Sequence, residues 1–431
     1  MNDNMKNTKI AILGAGPAGI SAAYHLQQQG YNPVIYEKRN DFGGLCGSFE
    51  IDGYRFDHFA HMAFSKDSVV NDLLEQKTEC ITHCPEAYNF YRGKWVRNPV
   101  QNNLIGLEVE ERIQVIDGFL NRPVIDTPQN YKDWLRKSYG DYFTDNFPSR
   151  YTRKYWTIEP EQLETKWISN RMYVPDIKEV LRGAMTEETP NVHYSKEMHY
   201  PVKGGFRQFM EPLVKKLNVC YEHCVEKINV DDKVIEFTNG KEEKYDEIIS
   251  TLPLSEIPQM ISDLPQNVYE AANQLDYTSG YMISIGFNRI IEFPCVWFYI
   301  YDEDILPARI YFSNKKSPNN VPNGCSALQA EVYVSRYKKI SMDDEELKNA
   351  VIEQLLKLKL FSLDDIVISD IRFEKYANIM FTPAIYEARD AVKKYLNNNG
   401  ITLAGRFGEW DYFWLEQSLL SGKNAAEELM E

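Results

Sequence analysis

Apolar positions change their period several times along the chain, and each change marks an element. Four apolar residues, Ile10–Leu13, run into Gly14-Ala-Gly16-Pro17-Ala18-Gly19, after which apolar positions recur at helical spacing, and a second short run at 33–36 stops on Glu37. Runs this short, closed by glycine, predict buried parallel strands joined by a helix. From 65 to 181 the pattern shifts to helices and aromatic loops, with helices predicted at Ser68–Leu74, 108–120, 131–137 and 176–181. A helix over 207–217 follows, then strands at 218–221, 227–229, 233–237 and 246–251. Alternation at 282–287, 296–301, 309–313 and 327–334 predicts an antiparallel sheet. A helix over 343–359, a strand at 366–373, a strand over 401–406 reaching a ligand, and a last helix over 422–429 with its N-terminus at that ligand complete the pattern.

Composition narrows the class. The 431 residues allow two or three cores, and 43% hydrophobic with 26% charged residues is ordinary for a globular chain. A net charge of −15 disfavours nonspecific binding to nucleic acid, so an anionic substrate would need locally placed arginines. No stretch approaches the roughly 18 apolar residues of a membrane span, and no apolar signal region opens the chain, so a cytoplasmic location is expected. Cys80, His83 and Cys84 share their Cys-x-x-His-Cys spacing with Cys220, His223 and Cys224. That is not a usual zinc ligand pair, and no metal site is expected. An odd cysteine count, seven, argues against a disulfide framework.

The glycines carry the first chemistry. Gly14 permits a tight turn, Gly16 lets backbone approach a pyrophosphate, and Gly19 lets the helix pack closely on the strand. The helix N-terminus, opened by Pro17 and Ala18, offers N–H groups to the anion. Glu37, eighteen residues beyond Gly19, is placed to accept hydrogen bonds from a ribose and would repel the additional phosphate of NADP. Lys38 stands beside it. A second cluster, Asp41-Phe-Gly43-Gly44-Leu45-Cys-Gly-Ser48, brings backbone to the cofactor from another side, and the hairpin over 51–57 leads into His58-Phe-Ala-His61. These features suit FAD, whose body extends past the first βαβ unit, better than NAD.

At this point the chain resembles the FAD-binding superfamily of amine oxidases, protoporphyrinogen oxidases and phytoene desaturases. Five stretches in the middle and at the end are similar to one branch of it, the UDP-galactopyranose mutases: Gly93-Lys-Trp-Val-Arg-Asn-Pro-Val-Gln-Asn-Asn103, Tyr151-Thr-Arg-Lys-Tyr-Trp156, Trp167-Ile-Ser-Asn-Arg171, Ala308-Arg-Ile-Tyr-Phe-Ser-Asn314 and Gly405-Arg-Phe-Gly-Glu-Trp-Asp-Tyr412. The resemblance implies an α/β fold. A Rossmann-like, GR2-type FAD-binding domain (1–64, 200–262 and 398–431) would carry an inserted, mainly helical domain (65–199) and an antiparallel-sheet substrate domain with a helix (263–397).

It also implies an activity: interconversion of pyranose and furanose forms of a nucleotide sugar for cell-surface polysaccharide. Reduced flavin N5 would attack the anomeric carbon without net redox, using an unidentified reductant such as NAD(P)H. Arg171 and Arg309 are implied at the diphosphate, where a guanidinium fork binds bidentately. Tyr412 would add a phenolic donor, Gln101 and Trp156 would lie in the nucleotide region, Trp297 and Tyr299 near the sugar or diphosphate, His61 beside the flavin, and Arg406 in the C-terminal flavin segment. Each aromatic among these is equally readable as core, and each arginine as a surface ion-pair partner. The chain departs from the eukaryotic mutases at several positions. Asn98 and Val100 replace an aromatic pair around the uracil, while Pro99 and Gln101 are kept; Thr152 and Glu416 (beside Gln417) replace asparagines, and Lys66 a histidine. Base, sugar and oligomeric state stay open. An FAD oxidase or desaturase acting on an amine or apolar molecule is the alternative, and a flavin-binding protein without catalysis a third reading.

Overall fold

The computed structural model describes residues 8–65, 67–74, 78–169, 171–193 and 195–430, so Lys66 lies outside the described residues. The two opening runs form the centre of a five-stranded parallel sheet. Its order is Ile401–Leu403, Glu247–Ser250, Ile10–Leu13, Val34–Tyr36, Asn218–Cys220. Ile12, Ile35 and Ile249 are wholly buried, as expected for parallel strands covered on both faces.

Two helices pack on this sheet, Pro17–Gln28 and Leu415–Met430. Their approach depends on Gly422, where an added Cβ would lie 2.1 Å from the Ala18 carbonyl oxygen. The last helix therefore starts at Leu415 rather than near 422, and Gly422 is a mid-helix contact instead of a helix N-terminus. Two other expectations also change. The segment 207–217 forms only a 3-10 turn (Phe206–Phe209) and a four-residue helix (Glu211–Val214), since Pro212 can donate no backbone N–H. The strand at 401 ends at Leu403, and Gly405 at φ +84° turns the chain into the helical turn Gly405–Gly408, which carries Arg406.

The second large sheet has seven strands, ordered Ile366–Ile379, Tyr277–Phe287, Ser326–Val334, Arg309–Phe312, Trp297–Ile300, Ala87–Tyr91, Lys94–Arg97. Every pairing is antiparallel except that of Trp297–Ile300 with Ala87–Tyr91. Residues 87–97 thus join the sheet that was expected of 263–397 alone. Their two-residue turn, Arg92-Gly93, has positive φ at both positions, the geometry that matches the twist of a tight hairpin. One face of the sheet, with Leu328, Ala330 and Val332, packs on the helix Asp344–Leu356. The opposite face carries Gln329, Glu331 and Tyr333. The helices Val109–Leu120, Tyr131–Tyr139, Asp141–Asn146, Pro148–Tyr155 and Ile177–Met185 pack on one another, and Pro148–Tyr155 meets the strand Ser326–Val334. Among the described residues no helix is long and apolar enough to cross a membrane.

The helix contact at Gly422 yields a direct test. Gly422→Val should cost about 1–3 kcal/mol or more by overpacking, read as a lower denaturant midpoint of the flavin-loaded protein; an unchanged midpoint would mean the two helices are not held this closely.

Candidate flavin and anion site

A cavity of about 1000 Å³ opens between the parallel sheet, the seven-stranded sheet and the helices. It is lined at the nucleotide unit by Gly14, Gly16, Pro17, Ala18, Glu37 and Lys38, with Gly44 and Leu45 beside them. Gly19 and Gly43 do not line it and act from behind. A Cβ on Gly19 would lie 2.0 Å from the Gly14 oxygen, and Gly43, at φ +109°, donates its N–H to the Ala15 carbonyl at 2.8 Å. The helix Pro17–Gln28 starts at Gly16 with no side-chain cap and no acid in its first turn, so its N-terminal N–H groups are left for an anion. Glu37 is buried and braces the loop first: Oε2 accepts the Ala15 N–H at 2.7 Å and Oε1 the Arg39 N–H at 2.9 Å. Its remaining lone pairs suit a ribose. A backbone cradle, an uncapped helix start and a buried carboxylate are parts that would fit FAD.

The same cavity gathers the remaining residues named from the sequence: His61, Gln101, Trp156, Arg171, Trp297, Tyr299, Arg309, Arg406 and Tyr412. Arg171 and Arg406 hold the Tyr412 ring between them, their guanidinium carbons 4.6 and 4.9 Å from its centroid. Arg171 donates to the carbonyls of Trp167 (3.0 Å) and Tyr412 (3.1 Å), and Arg406 donates to the Phe413 carbonyl (2.8 Å) and Asn378 Oδ1 (3.3 Å). Among the described residues neither has a carboxylate within ion-pair distance, and the Nε of each is buried without a partner. Two such cations around one phenol form a ready anion site.

Arg309 differs. It stands opposite Tyr299 on one side and Glu331 on the other, and Glu331 accepts its Nε and Nη2, both at 2.8 Å. Trp297 donates its indole N–H to the Tyr299 hydroxyl at 3.1 Å, and Trp156 is packed among Tyr155, Trp167, Phe381 and Tyr412 while reaching the cavity wall. Gln101 donates to the Tyr173 carbonyl at 3.0 Å. Of the departing positions, Asn98 and Thr152 line the cavity, whereas Val100 is buried in the core and touches no ligand space.

Sequence reasoning missed Arg39, Lys316, Glu331, Tyr311 and Tyr333. For the last group a signal existed: Gln329, Glu331 and Tyr333 recur with period two inside an otherwise apolar strand, so they share one face. Lys316 is wholly buried and donates to Asp57 at 2.7 Å with its ammonium over the Tyr311 ring. Burial raises the phenols of Tyr151, Tyr155, Tyr299, Tyr311 and Tyr333, so these rings stay protonated; Tyr155 and Tyr333 spend their O–H on Asn378 and Glu331.

His61 stacks on Phe206 at 5.2 Å, and its Nδ1 donates to the Phe59 carbonyl at 2.9 Å. Burial pushes its imidazolium down to about 4, so the ring is neutral at pH 7 and presents Nε2 as an acceptor rather than an acid. The unfolded chain takes up this proton near 6.5 and the folded chain only near 4, so stability should fall as pH drops from about 6.5 to 4. Thermal midpoints of the parent and His61→Gln, compared at pH 7 and 5, should show the parent losing more on acidification; equal losses would mean the ring titrates normally.

The comparisons with known proteins agree with this geometry. Residues 17–430 match the family model for flavin containing amine oxidoreductases. The crystal structure of a reduced UDP-galactopyranose mutase aligns at 25% identity with a TM-score of 0.92, covering 98% of this chain and 94% of that one. A putative protoporphyrinogen oxidase from Exiguobacterium aligns at 18% identity and TM-score 0.76 over 99% of both chains, a likeness of fold. Curated relatives match only a short stretch. The 4,4'-diaponeurosporene oxygenase of Staphylococcus haemolyticus is 43% identical over 53 residues, 12% of this chain and 11% of its own length. The 4,4'-diapophytoene desaturase of Staphylococcus aureus is 43% identical over 49 residues, 11% of this chain and 10% of its own length. The chain belongs to the flavin-containing amine oxidoreductase family, with FAD as its cofactor.

Proposed function

We propose that the chain is a flavin-dependent nucleotide-sugar mutase that interconverts pyranose and furanose forms, with UDP-galactopyranose or a related nucleotide sugar as substrate. The observation that carries this reading is the gathering of Arg171, Arg309, Arg406 and Tyr412 in the cavity that holds the flavin cradle. An apolar substrate would leave the cations Arg171 and Arg406 desolvated and without a counter-charge, at a cost of several kcal/mol per ion. A diphosphate supplies that counter-charge. The whole-length likeness to a reduced UDP-galactopyranose mutase supports the same reading.

Bound flavin in its reduced state supplies a nucleophilic N5 for the anomeric carbon. The protein then has to retain a detached nucleoside diphosphate until the sugar recombines with it. Arg171 and the unpaired Nη1 of Arg309 grip phosphate oxygens, and Tyr412, clamped between two guanidiniums, donates its hydroxyl to the same group. Protonated Tyr151, Tyr299 and Tyr311 hold the sugar hydroxyls without removing protons. Neutral His61 offers an acceptor beside the flavin and cannot protonate the leaving group at pH 7. Trp156, Trp297 and Tyr299 exclude water from the reacting carbon, where hydrolysis would otherwise compete. The product would feed cell-surface polysaccharide synthesis from the cytoplasm, with reducing equivalents from a donor such as NAD(P)H.

The second reading is a flavin oxidase or desaturase, favoured by the short matches to the staphylococcal carotenoid enzymes. Incubation with UDP-galactopyranose and related nucleotide sugars, with and without dithionite, separates the two. The mutase reading expects furanose only from reduced protein and no peroxide; turnover of the oxidised protein with stoichiometric peroxide would overturn it. Arg171→Lys keeps the charge but loses the fork, so UDP should bind roughly 10- to 100-fold more weakly by calorimetry, the loss of a charge-assisted hydrogen bond. The flavin spectrum should not change.

A further inference from the structure

Glu331 is wholly buried in the middle of the seven-stranded sheet, yet it has no role in the reading above. Its carboxylate collects donors from three directions. Arg309 donates Nε to Oε2 and Nη2 to Oε1, both at 2.8 Å; the Tyr333 hydroxyl donates to Oε2 at 2.6 Å; and the Ala60 N–H donates to Oε1 at 3.2 Å. Stability alone gives little reason for such a group, because a buried ion pair is often matched or bettered by well-packed apolar side chains. Its geometry gives another. With two of its three nitrogens engaged side-on, the Arg309 guanidinium is fixed in one plane, and Nη1 has no partner among the described residues. Rotamer freedom of a long side chain is thus lost on folding rather than on binding, which favours the ligand. The carboxylate also ties this plane to Ala60, the residue preceding His61.

We propose that Glu331 is the positioning residue of the anion site. It holds Arg309 with Nη1 turned to the cavity for a phosphate oxygen, and it anchors the His61 segment to the same point. The proposal rests on the reading of Arg309 as a diphosphate ligand.

Calorimetry on the flavin-loaded protein with inorganic pyrophosphate and with UDP tests it. Glu331→Gln keeps the shape but turns an N–H donor toward Arg309, and both probes should bind roughly 10-fold more weakly or worse. Glu331→Asp, which keeps the charge and retracts it by one methylene, should fall between parent and Glu331→Gln, and it serves should the glutamine variant fail to fold. A residue that acts only through Arg309 has nothing left to do once that side chain is gone. In an Arg309→Met background the added Glu331→Gln should therefore change the dissociation constants by less than about two-fold, whereas a merely structural role would show the same loss in both backgrounds. The proposal is overturned if Glu331→Gln and Glu331→Asp bind both probes like the parent, if the loss persists in the Arg309→Met background, or if the parent binds neither probe. Its failure and that of the mutase reading differ. Glu331-dependent pyrophosphate binding without furanose formation sinks the reading alone, and furanose formation with an inert Glu331 sinks the proposal alone.

Discussion

One carboxylate ties the seven-stranded sheet to the hairpin Ser48–Asp57 and to the strand Met198–Pro201. Asp57, buried at the end of the hairpin strand Tyr54–Asp57, accepts from the Ser48 hydroxyl (2.7 Å), the Phe206 N–H (3.0 Å), the Tyr200 hydroxyl (2.9 Å) and the Lys316 ammonium (2.7 Å). Its backbone is clamped as well, because Gln329 accepts from the Asp57 N–H and donates to the Asp57 carbonyl. Elements from both halves of the chain converge here: the hairpin, the strand Met198–Pro201, the turn after Arg309–Phe312 and the strand Ser326–Val334. Burial alone would raise the Asp57 carboxyl, but Lys316, the Phe206 N–H and the Ser48 hydroxyl hold it below its usual range. Removing Lys316 would leave an uncompensated buried charge, which costs about 3–5 kcal/mol in comparable cases.

This joint sets the electrostatics of the cavity. Lys316 reaches the wall but is neutralised by Asp57, and Arg309 is half committed to Glu331, whereas among the described residues Arg171 and Arg406 are held by carbonyls, an amide and aromatic rings. An anion entering a chain of net charge −15 therefore finds a favourable field around Tyr412. His61 lies four residues past Asp57, and its burial keeps its own ring neutral rather than cationic.

Sequence could show whatever is local. The nucleotide unit was legible because strand, glycine turn, helix and acid follow one another within thirty residues, and each glycine has a mechanical reason. The strands at 87–97 were not, since Ala87–Tyr91 finds its parallel partner at Trp297–Ile300, some two hundred residues on, and nothing near it announces the pairing. The last helix was misplaced for a related reason: Gly422 looks like a helix boundary until the Ala18 carbonyl, contributed by the first helix, explains why no side chain fits there. Arg171, Arg309 and Tyr412 were found through motif resemblance, but their difference in character was not. Arg309 is paired with a carboxylate and Arg171 is not, and cross-strand register is what reveals the Arg309 partner. Val100 shows the converse error, a substitution that reads as a change of ligand surface and proves to be core.

Fold and cofactor place this chain in its family, and they leave the reaction open, because sites rather than folds carry chemistry. The flavin cradle is built from backbone, a helix end and Glu37, none of which senses what lies on the far side of the cavity. That side is written on one face of the seven-stranded sheet, where alternate positions on three strands supply Tyr299, Arg309 and Glu331 in a single row. Exchanging such a row, together with Arg171 and Arg406, for apolar residues would leave every backbone hydrogen bond of the sheet in place and turn a cavity lined by cations into one lined by hydrocarbon. One architecture can therefore carry a charged or an apolar lining, and the register decides which side chains share it.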